Sequence, residues 1–258
     1  MKVLVLGGNG FLGSQLCRSA AIRGLTVTSL SRSGSPKLQG ILPTWVSKVD
    51  WRQGDLLDPS SYRELLSNND IVIHSVGALL DFNYKHLMNQ GLCASVTGLA
   101  SNFITKPASN DLNKINFLTA KKLCEVVSDY PNVKVLSYIS ASPVIPPVIF
   151  GTKYIASKRA AEQHILLSSH SESFNSIPRK SLIFRPGIMF SDNRPLASGI
   201  ASGVALAGYV APFCNIPTPL RVETVAEAVI QSSINAVSCS SKQRSNIYEV
   251  NDILKLAK

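Results

Sequence analysis

The chain lacks the features that would assign it to several large functional classes. Its five cysteines (17, 93, 124, 214 and 239) are odd in number and widely scattered. No two have metal-ligand or Cys-x-x-Cys spacing, so the pattern points to a reduced compartment and inert thiols. Its four histidines (74, 86, 164 and 170) form no ligand cluster, and no metal site is expected. His164 falls on a helix and His170 just past its apparent end, where surface or packing roles fit. No run of Lys or Arg is longer than two, although the net charge is +10 and the pI about 9.5. Dispersed charge of this kind argues for a solvated basic surface and against a nucleic-acid groove, while leaving contact with an anionic membrane surface open. The most apolar late stretch, 196–213, is interrupted by glycines and serines. It reads as core or pocket wall and is too weak to span a bilayer. No cleavable targeting segment is expected ahead of the first strand, because the first apolar run is that strand. There is no internal repeat and no low-complexity segment.

What the chain does have begins almost at its first residue. Lys2 to Leu6 is a short apolar run with one charge at its start, and Gly7, Gly10 and Gly13 follow at a spacing of three. A helical pattern of Leu12, Leu16, Cys17, Ala20 and Ala21 comes next. A strand that enters a helix through this glycine spacing is a dinucleotide-binding turn. Gly7 permits the tight exit from the strand, Gly10 lets the backbone approach a pyrophosphate, and Gly13 lets the helix pack on the strand. The helix N-terminus then faces the phosphates. Asn9, Phe11 and Leu12 fall inside the same turn and belong to the expected cofactor contacts.

The rest reads as strands alternating with helices. The first helix stops at Arg23-Gly24, and Leu25–Leu30 is a second strand. An acid about 20 residues past the glycines would bind the adenosine ribose of NAD. This chain has Ser31-Arg32-Ser33-Gly34 instead, and the forked donors of Arg32 suit a 2′-phosphate. The pattern therefore favours NADP(H) over NAD(H). Strand Val49–Gln53 follows a loop over 35–48. Asp55, with Leu56, stands at its end where an adenine edge would lie. Asp58 caps a helix over Pro59–Leu66. Strand Asp70–Ser75 leads into Val76, and Ser75 and Val76 complete the near wall. A long irregular segment, 79–108, precedes a helix over Leu112–Ser128 capped by Asn110-Asp111. Strand Val133–Ile139 ends in Ser140-Ala141-Ser142, and strand Ser181–Phe184 ends in Arg185-Pro186-Gly187. A weakly helical stretch (197–209), a helix over Glu223–Ala236, a strand over Asn246–Val250 and a final helix close the chain. The fold class is α/β, a doubly wound parallel sheet. Residues 1–190 form the nucleotide-binding (Rossmann) domain, and 191–258 form a small C-terminal region packed on it as one unit.

A loop over 143–153 leads to Tyr154-Ile155-Ala156-Ser157-Lys158. Tyr154 and Lys158 lie one turn apart on one helical face. A carbonyl that accepts a hydride needs a proton donor beside its oxygen. A tyrosine with an unperturbed pKa near ~10 needs a neighbouring cation to serve near neutrality. Lys158 supplies that cation and also reaches a nicotinamide ribose. A serine hydroxyl opposite would polarise the carbonyl, with Ser142 the first choice and Ser140 the reserve. Pro186 and Gly187 would pass their backbone near the nicotinamide amide.

Together, the glycine triplet, the strand-end serine, Tyr-x-x-x-Lys and Arg-Pro-Gly resemble the short-chain dehydrogenase/reductase superfamily, in its extended or atypical branch. The segment 221–234 also resembles that branch's late helix, and 246–257 its closing strand and helix. GGNGFLG, SRSG, HSVGALL, YISAS, YIASKRAAE and FRPGIMF resemble the small fungal mitochondrial members tied to coenzyme Q (ubiquinone) biosynthesis. The SDR-like accessory subunit of respiratory complex I is a more distant likeness. The resemblance implies that the third position of the strand-end triplet acts, which is Ser142. It also implies a mitochondrial, matrix-side location with peripheral inner-membrane contact, and a protein complex of Q biosynthesis as partner. The activity implied is an oxidoreductase on an apolar, quinone-like substrate, with segments 144–150 and 182–213 lining the pocket.

Several members of the atypical branch keep the cofactor pocket and lose turnover. A cofactor-stabilised assembly or regulatory subunit is therefore the competing expectation, supported by the 79–108 insertion. RNA binding, shown by some atypical members, is the weaker one, because aromatics do not interleave with clustered Lys and Arg. The small C-terminal part leaves little room for a sugar-nucleotide pocket.

Overall fold

The structure is a computed structural model. It describes residues 1–36, 41–77, 112–143, 147–170, 179–192, 218–239 and 245–257, with the side chains of 147–151 and 170 set aside. The expected segment 79–108, its following cap Asn110-Asp111, the stretch 196–213, Cys93, Cys214 and His86 lie outside these residues.

Alternate residues of each central strand are buried on opposite faces, and this dictates two helical layers. Strand β1 (Lys2–Leu6) sends Val3 and Val5 to one face and Leu4 and Leu6 to the other. Its neighbours are β2 (Thr26–Ser31), β3 (Val49–Gln53), β4 (Ile71–His74), β5 (Val135–Ile139) and β6 (Lys180–Phe184). Helix α1 (Phe11–Ile22) packs Leu12, Leu16, Cys17 and Ala20 on the Val3–Val5 face. Helix α2 (Arg63–Ser67) with α3 (Thr119–Val127) and α4 (Pro147–His170) covers the other, through Leu66, Leu123, Ala161 and Ile165.

The chain then adds a parallel pair, β7 (Met189–Phe190) with β8 (Leu220–Arg221), outside the main sheet. Helix α5 (Val222–Ser238) packs beside α1. Strand β9 (Ser245–Tyr248) and helix α6 (Val250–Leu256) follow. The main sheet has seven strands in the order β3-β2-β1-β4-β5-β6-β9, and every pair is parallel. The order reverses between β1 and β4. There α1, after β1, and α3, the described helix after β4, pack on opposite faces of the sheet, the arrangement that places a crevice at the strands' C-terminal ends.

Three helices differ most from the sequence reading, and several strand ends shift by one or two residues. Helix α4 begins at Pro147, not at Tyr154, because proline is favoured in a first turn, where its missing N–H costs nothing. It also runs to His170, which is therefore the helix's last residue. The expected helix over 59–66 breaks into a 3-10 turn (Pro59–Ser61) and α2, with Asp58 accepting from Ser60 N as foreseen. The first half of the helix over 112–128 is a π-turn, Asn113–Leu118, ahead of α3. Single π-turns of this kind bulge a helix. Asn116 is the buried residue within it.

Candidate functional site

The glycine turn opens at the reversal point. Gly7 has φ +89°, and a Cβ there would stand 2.7 Å from Val76 Cγ2. A Cβ at Gly13 would stand 2.1 Å from the Gly7 carbonyl oxygen, so only glycine lets α1 sit this close to β1. Gly10 differs. It is exposed, and its hypothetical Cβ meets only the Gly7 oxygen, at 3.1 Å. Gly10 also opens α1 with no side-chain cap and no acid in the first turn. Those are the conditions under which a helix N-terminus accepts phosphate, so this cradle fits the pyrophosphate of a dinucleotide.

The remaining expected cofactor contacts divide between two flanks. At one, Asn9 Nδ2 donates to Ser33 Oγ, and Gln53 Nε2 donates to the Arg32 carbonyl at 3.1 Å. Gly34 turns with φ +63°. This leaves the Arg32 side chain exposed at the end of β2. Asp55 is exposed at the end of β3, where its Oδ1 accepts from Leu57 N at 2.9 Å. Leu56 and Leu12 have their side chains in the core, so only their backbones are available to a ligand. At the other flank, Ser75 Oγ donates to the Leu6 carbonyl at 2.8 Å, binding the end of β4 to that of β1.

The expected reacting residues gather at the ends of β5 and β6. Ser142 N donates to the Pro186 carbonyl at 2.9 Å, and Ser140 N to that of Phe184 at 2.7 Å. Pro186 and Gly187 are buried beside them. Tyr154 is 6% exposed and packs with Ala141 and Leu112. Lys158, one turn along, is 3% exposed. Its Nζ donates to the carbonyls of Ile139 at 2.9 Å and Val76 at 3.5 Å, and sits 5.0 Å from the Tyr138 ring centre. Burial lowers the Lys158 ammonium pKa to about 7, with Glu162 opposing that shift. A cation that exchanges its proton near neutrality is thereby placed one turn from a tyrosine.

Two further residues converge here that sequence reasoning missed. Asn116, fully buried in the π-turn, donates through Nδ2 to Ser157 Oγ at 3.1 Å, and Ser157 Oγ donates to the Tyr154 carbonyl at 2.8 Å. A Cβ at Gly77 would lie 2.8 Å from Lys158 Nζ and 3.3 Å from Asn116 Oδ1, so both polar groups point at one spot that only glycine leaves open. An asparagine followed by a helical pattern carries no signal of this, because a π-turn has no sequence signature. The second is His74, wholly buried at the end of β4 with its Nε2 3.0 Å from Thr119 Oγ1. Thr119 Oγ1 donates to the Ile115 carbonyl at 2.6 Å, so His74 Nε2 carries the hydrogen. Burial first, then the nearby Lys158 charge, lower its pKa to about 3 and keep the ring neutral.

Cys17, Cys124 and His164 take packing positions, whereas Cys239 is exposed. Cys17 and Cys124 are buried, and desolvation raises their thiols to about 12 and about 11. His164 packs edge-on against Phe117. Among the described residues, no three His, Cys, Asp or Glu side chains gather as a metal site, and no helix is long and apolar enough to cross a membrane.

An open parallel sheet with a glycine turn at its reversal point, and a tyrosine–lysine pair at the ends of its next strands, is the Rossmann-type arrangement of the short-chain dehydrogenase/reductase fold. Residues 3–86 match the NAD dependent epimerase/dehydratase family. The chain is 33% identical over 216 residues to MIOREX complex component 2 of Saccharomyces cerevisiae, covering 75% of this chain and 74% of that protein. At that identity and coverage the chain belongs to the same SDR-like family as the yeast protein. It is also 29% identical over 190 residues to a 2-alkyl-3-oxoalkanoate reductase of Stenotrophomonas maltophilia, covering 72% of this chain and 52% of that enzyme. A chloroplastic protein of Arabidopsis thaliana is 26% identical over 250 residues, 90% of this chain and 71% of its own. Among solved structures, MoeE5 in complex with UDP-glucose and NAD superposes with a TM-score of 0.62 at 16% identity, covering 100% of this chain and 81% of that one. The enzyme WbmF of Bordetella bronchiseptica in complex with NAD+ gives 0.59 at 17% identity, covering 99% and 76%. At these identities the likeness speaks for the fold.

Proposed function

We propose that this protein is an NADP(H)-dependent oxidoreductase that acts on an apolar carbonyl, quinone-like or otherwise. One observation carries the proposal. A lysine buried to 3% exposure lies one helical turn from a buried tyrosine, at the strand ends that border the glycine cradle. The nicotinamide would supply or accept the hydride. Gly7, Gly10 and Gly13 would hold the pyrophosphate, and Arg32 would meet a 2′-phosphate with its guanidinium fork. Tyr154 would give or take the proton at its Oη. Lys158 would stabilise the tyrosinate charge and release or regain its own proton near neutral pH. Ser142 would orient the substrate oxygen. The similarity to a reductase of 2-alkyl-3-oxoalkanoates supports an apolar carbonyl substrate.

A second reading is favoured by a different observation, the 33% identity to a protein named as a complex component. In it the bound nucleotide stabilises the fold and the surface serves an assembly. A place in mitochondrial ubiquinone biosynthesis, at the matrix face of the inner membrane, belongs to both readings. The chloroplastic plant relative supports an organelle.

Titration with NADPH and NADH separates the readings, repeated on Arg32→Ala and Tyr154→Phe. Tighter NADPH binding that Arg32→Ala abolishes, with Tyr154→Phe still binding, is the expected result. Loss of turnover in Tyr154→Phe then marks an enzyme. Full biological activity of Tyr154→Phe in cells lacking the native protein would overturn catalysis and leave the assembly role. No binding of either nucleotide at millimolar concentration would overturn both.

A further inference from the structure

Two consecutive residues of α4 grip three consecutive residues at the end of β5. Lys158 holds the Ile139 carbonyl. Arg159 takes the next two: its Nη1 donates to Ser140 Oγ at 3.2 Å and its Nη2 to the Ala141 carbonyl at 2.7 Å. The following residue is Ser142, tied on its other side to Pro186. The turn that carries the substrate-orienting hydroxyl is thus hung between a guanidinium and a strand end.

The guanidinium is itself held. Arg159 Nη1 also pairs with Glu162 Oε1, one turn further along α4. Glu162 is 3% exposed, an uncommon place for a carboxylate. Its two oxygens accept the Arg185 fork as well, Nε to Oε1 at 3.0 Å and Nη2 to Oε2 at 2.5 Å. Arg185 Nη1 donates on to Glu249 Oε1 at 2.7 Å, and Glu249 caps α6. These bonds, those to Glu162 foremost, raise the Arg185 pKa. Two cations and two anions are thus linked in a chain, and at its centre the two-pronged Arg185–Glu162 pair fixes planes and not merely distances. Burying such a cluster yields little net stability compared with apolar packing. What it supplies is direction. Arg159 cannot swing without leaving Glu162, and Glu162 cannot swing without leaving Arg185.

We propose that Arg159, locked by Glu162, is a positioning residue that sets the Ser140–Ser142 turn against Tyr154 and Lys158. The inference rests on the reading of Ser142, Tyr154 and Lys158 as the reacting groups. Arg159 acts through the Ser140 hydroxyl and the Ala141 carbonyl that it holds. A cleft of about 550 Å³ lined by Arg159, Glu162, Gln163, Leu166, Leu167 and Arg185 flanks the cluster. Shortening Arg159 therefore opens no closed cavity, and its variants should fold.

The test has two arms. The first measures NADPH-dependent reduction of phenanthrenequinone, a general quinone probe. Arg159→Gln should lower kcat about tenfold while NADPH affinity stays unchanged, and Arg159→Lys should recover part of the loss. In a Ser142→Ala background Arg159→Gln should cost nothing further, because the group it positions is gone. Equal losses in both backgrounds would overturn the proposal. The second arm needs no turnover. Amide hydrogen exchange at Ala141 and Ser142 should quicken in Arg159→Gln while that of 135–138 holds. Unchanged exchange at 141–142 would overturn the proposal as well. If the wild type fails to reduce the probe while exchange responds as described, the oxidoreductase reading fails and the positioning role stands.

Discussion

Lys158 Nζ and the Ile139 carbonyl oxygen lie 2.9 Å apart at the buried end of β5. The lysine is thereby anchored to the strand whose terminal turn carries the candidate serines. The same burial makes it costly to charge. Its pKa falls to about 7 from an ordinary 10.5, so between these values the folded protein binds fewer protons than the unfolded chain. Stability of the nucleotide-free protein should therefore rise with pH across that window. Lys158→Met should remove this rise. Urea unfolding at pH 6 and pH 9 checks it, and an equal slope in both proteins would contradict the assignment.

His74 titrates in the opposite half of the pH range. Its pKa is lowered to about 3 from 6.5. Stability linked to the neutral ring is fully present above the unfolded value and is lost progressively as pH falls from 6.5 towards 3. His74→Gln should flatten that part of the acid-unfolding curve even if it lowers stability at pH 7. Circular dichroism across pH 3 to 7 is the measurement.

Gly13 and Gly10 should respond differently to the same added methyl. At Gly13 it would fall 2.1 Å from the Gly7 carbonyl oxygen, inside the helix–strand contact. A loss of about 1–3 kcal/mol in unfolding free energy follows from such overpacking. At Gly10 it faces outwards, with its nearest neighbour at 3.1 Å. Gly10→Ala should keep most stability and weaken nucleotide binding instead. Calorimetry of both variants, with and without NADPH, distinguishes the two effects.

Asn116→Ala removes the donor to Ser157 and leaves buried partners unmatched. A loss of about 1–3 kcal/mol is expected. Asn113→Ala, in the same π-turn but exposed, should cost far less. Equal losses would show that the turn, and not the Asn116 side chain, carries the effect.

Much of the framework was legible from neighbours along the chain. The run Lys2–Leu6, the glycine spacing and the succession of strands and helices placed β1, α1 and the parallel sheet, because such signals depend on steric rules acting over a few residues. Gly13 was readable for the same reason, since its hypothetical Cβ meets the Gly7 carbonyl six residues back. Helix α4 was misplaced at its start because the prolines of 143–147 read as loop, while Pro147 sits where proline begins a helix.

The sequence by itself determined the α/β class, the order of strands and helices, the glycine cradle, and the one-turn separation of Tyr154 and Lys158. Only the tertiary structure decided that Lys158 is buried on Ile139, that Asn116 and Gly77 meet it, that His74 is neutral, and that Glu162 is interior. A glutamate four residues past a lysine on a helix reads as a solvated face. Its burial depends on Arg185 and Glu249 arriving from β6 and the start of α6. Local pattern sets which backbone forms, whereas the environment of a charge is set by what packs against it from elsewhere in the chain, and no short-range pattern contains that.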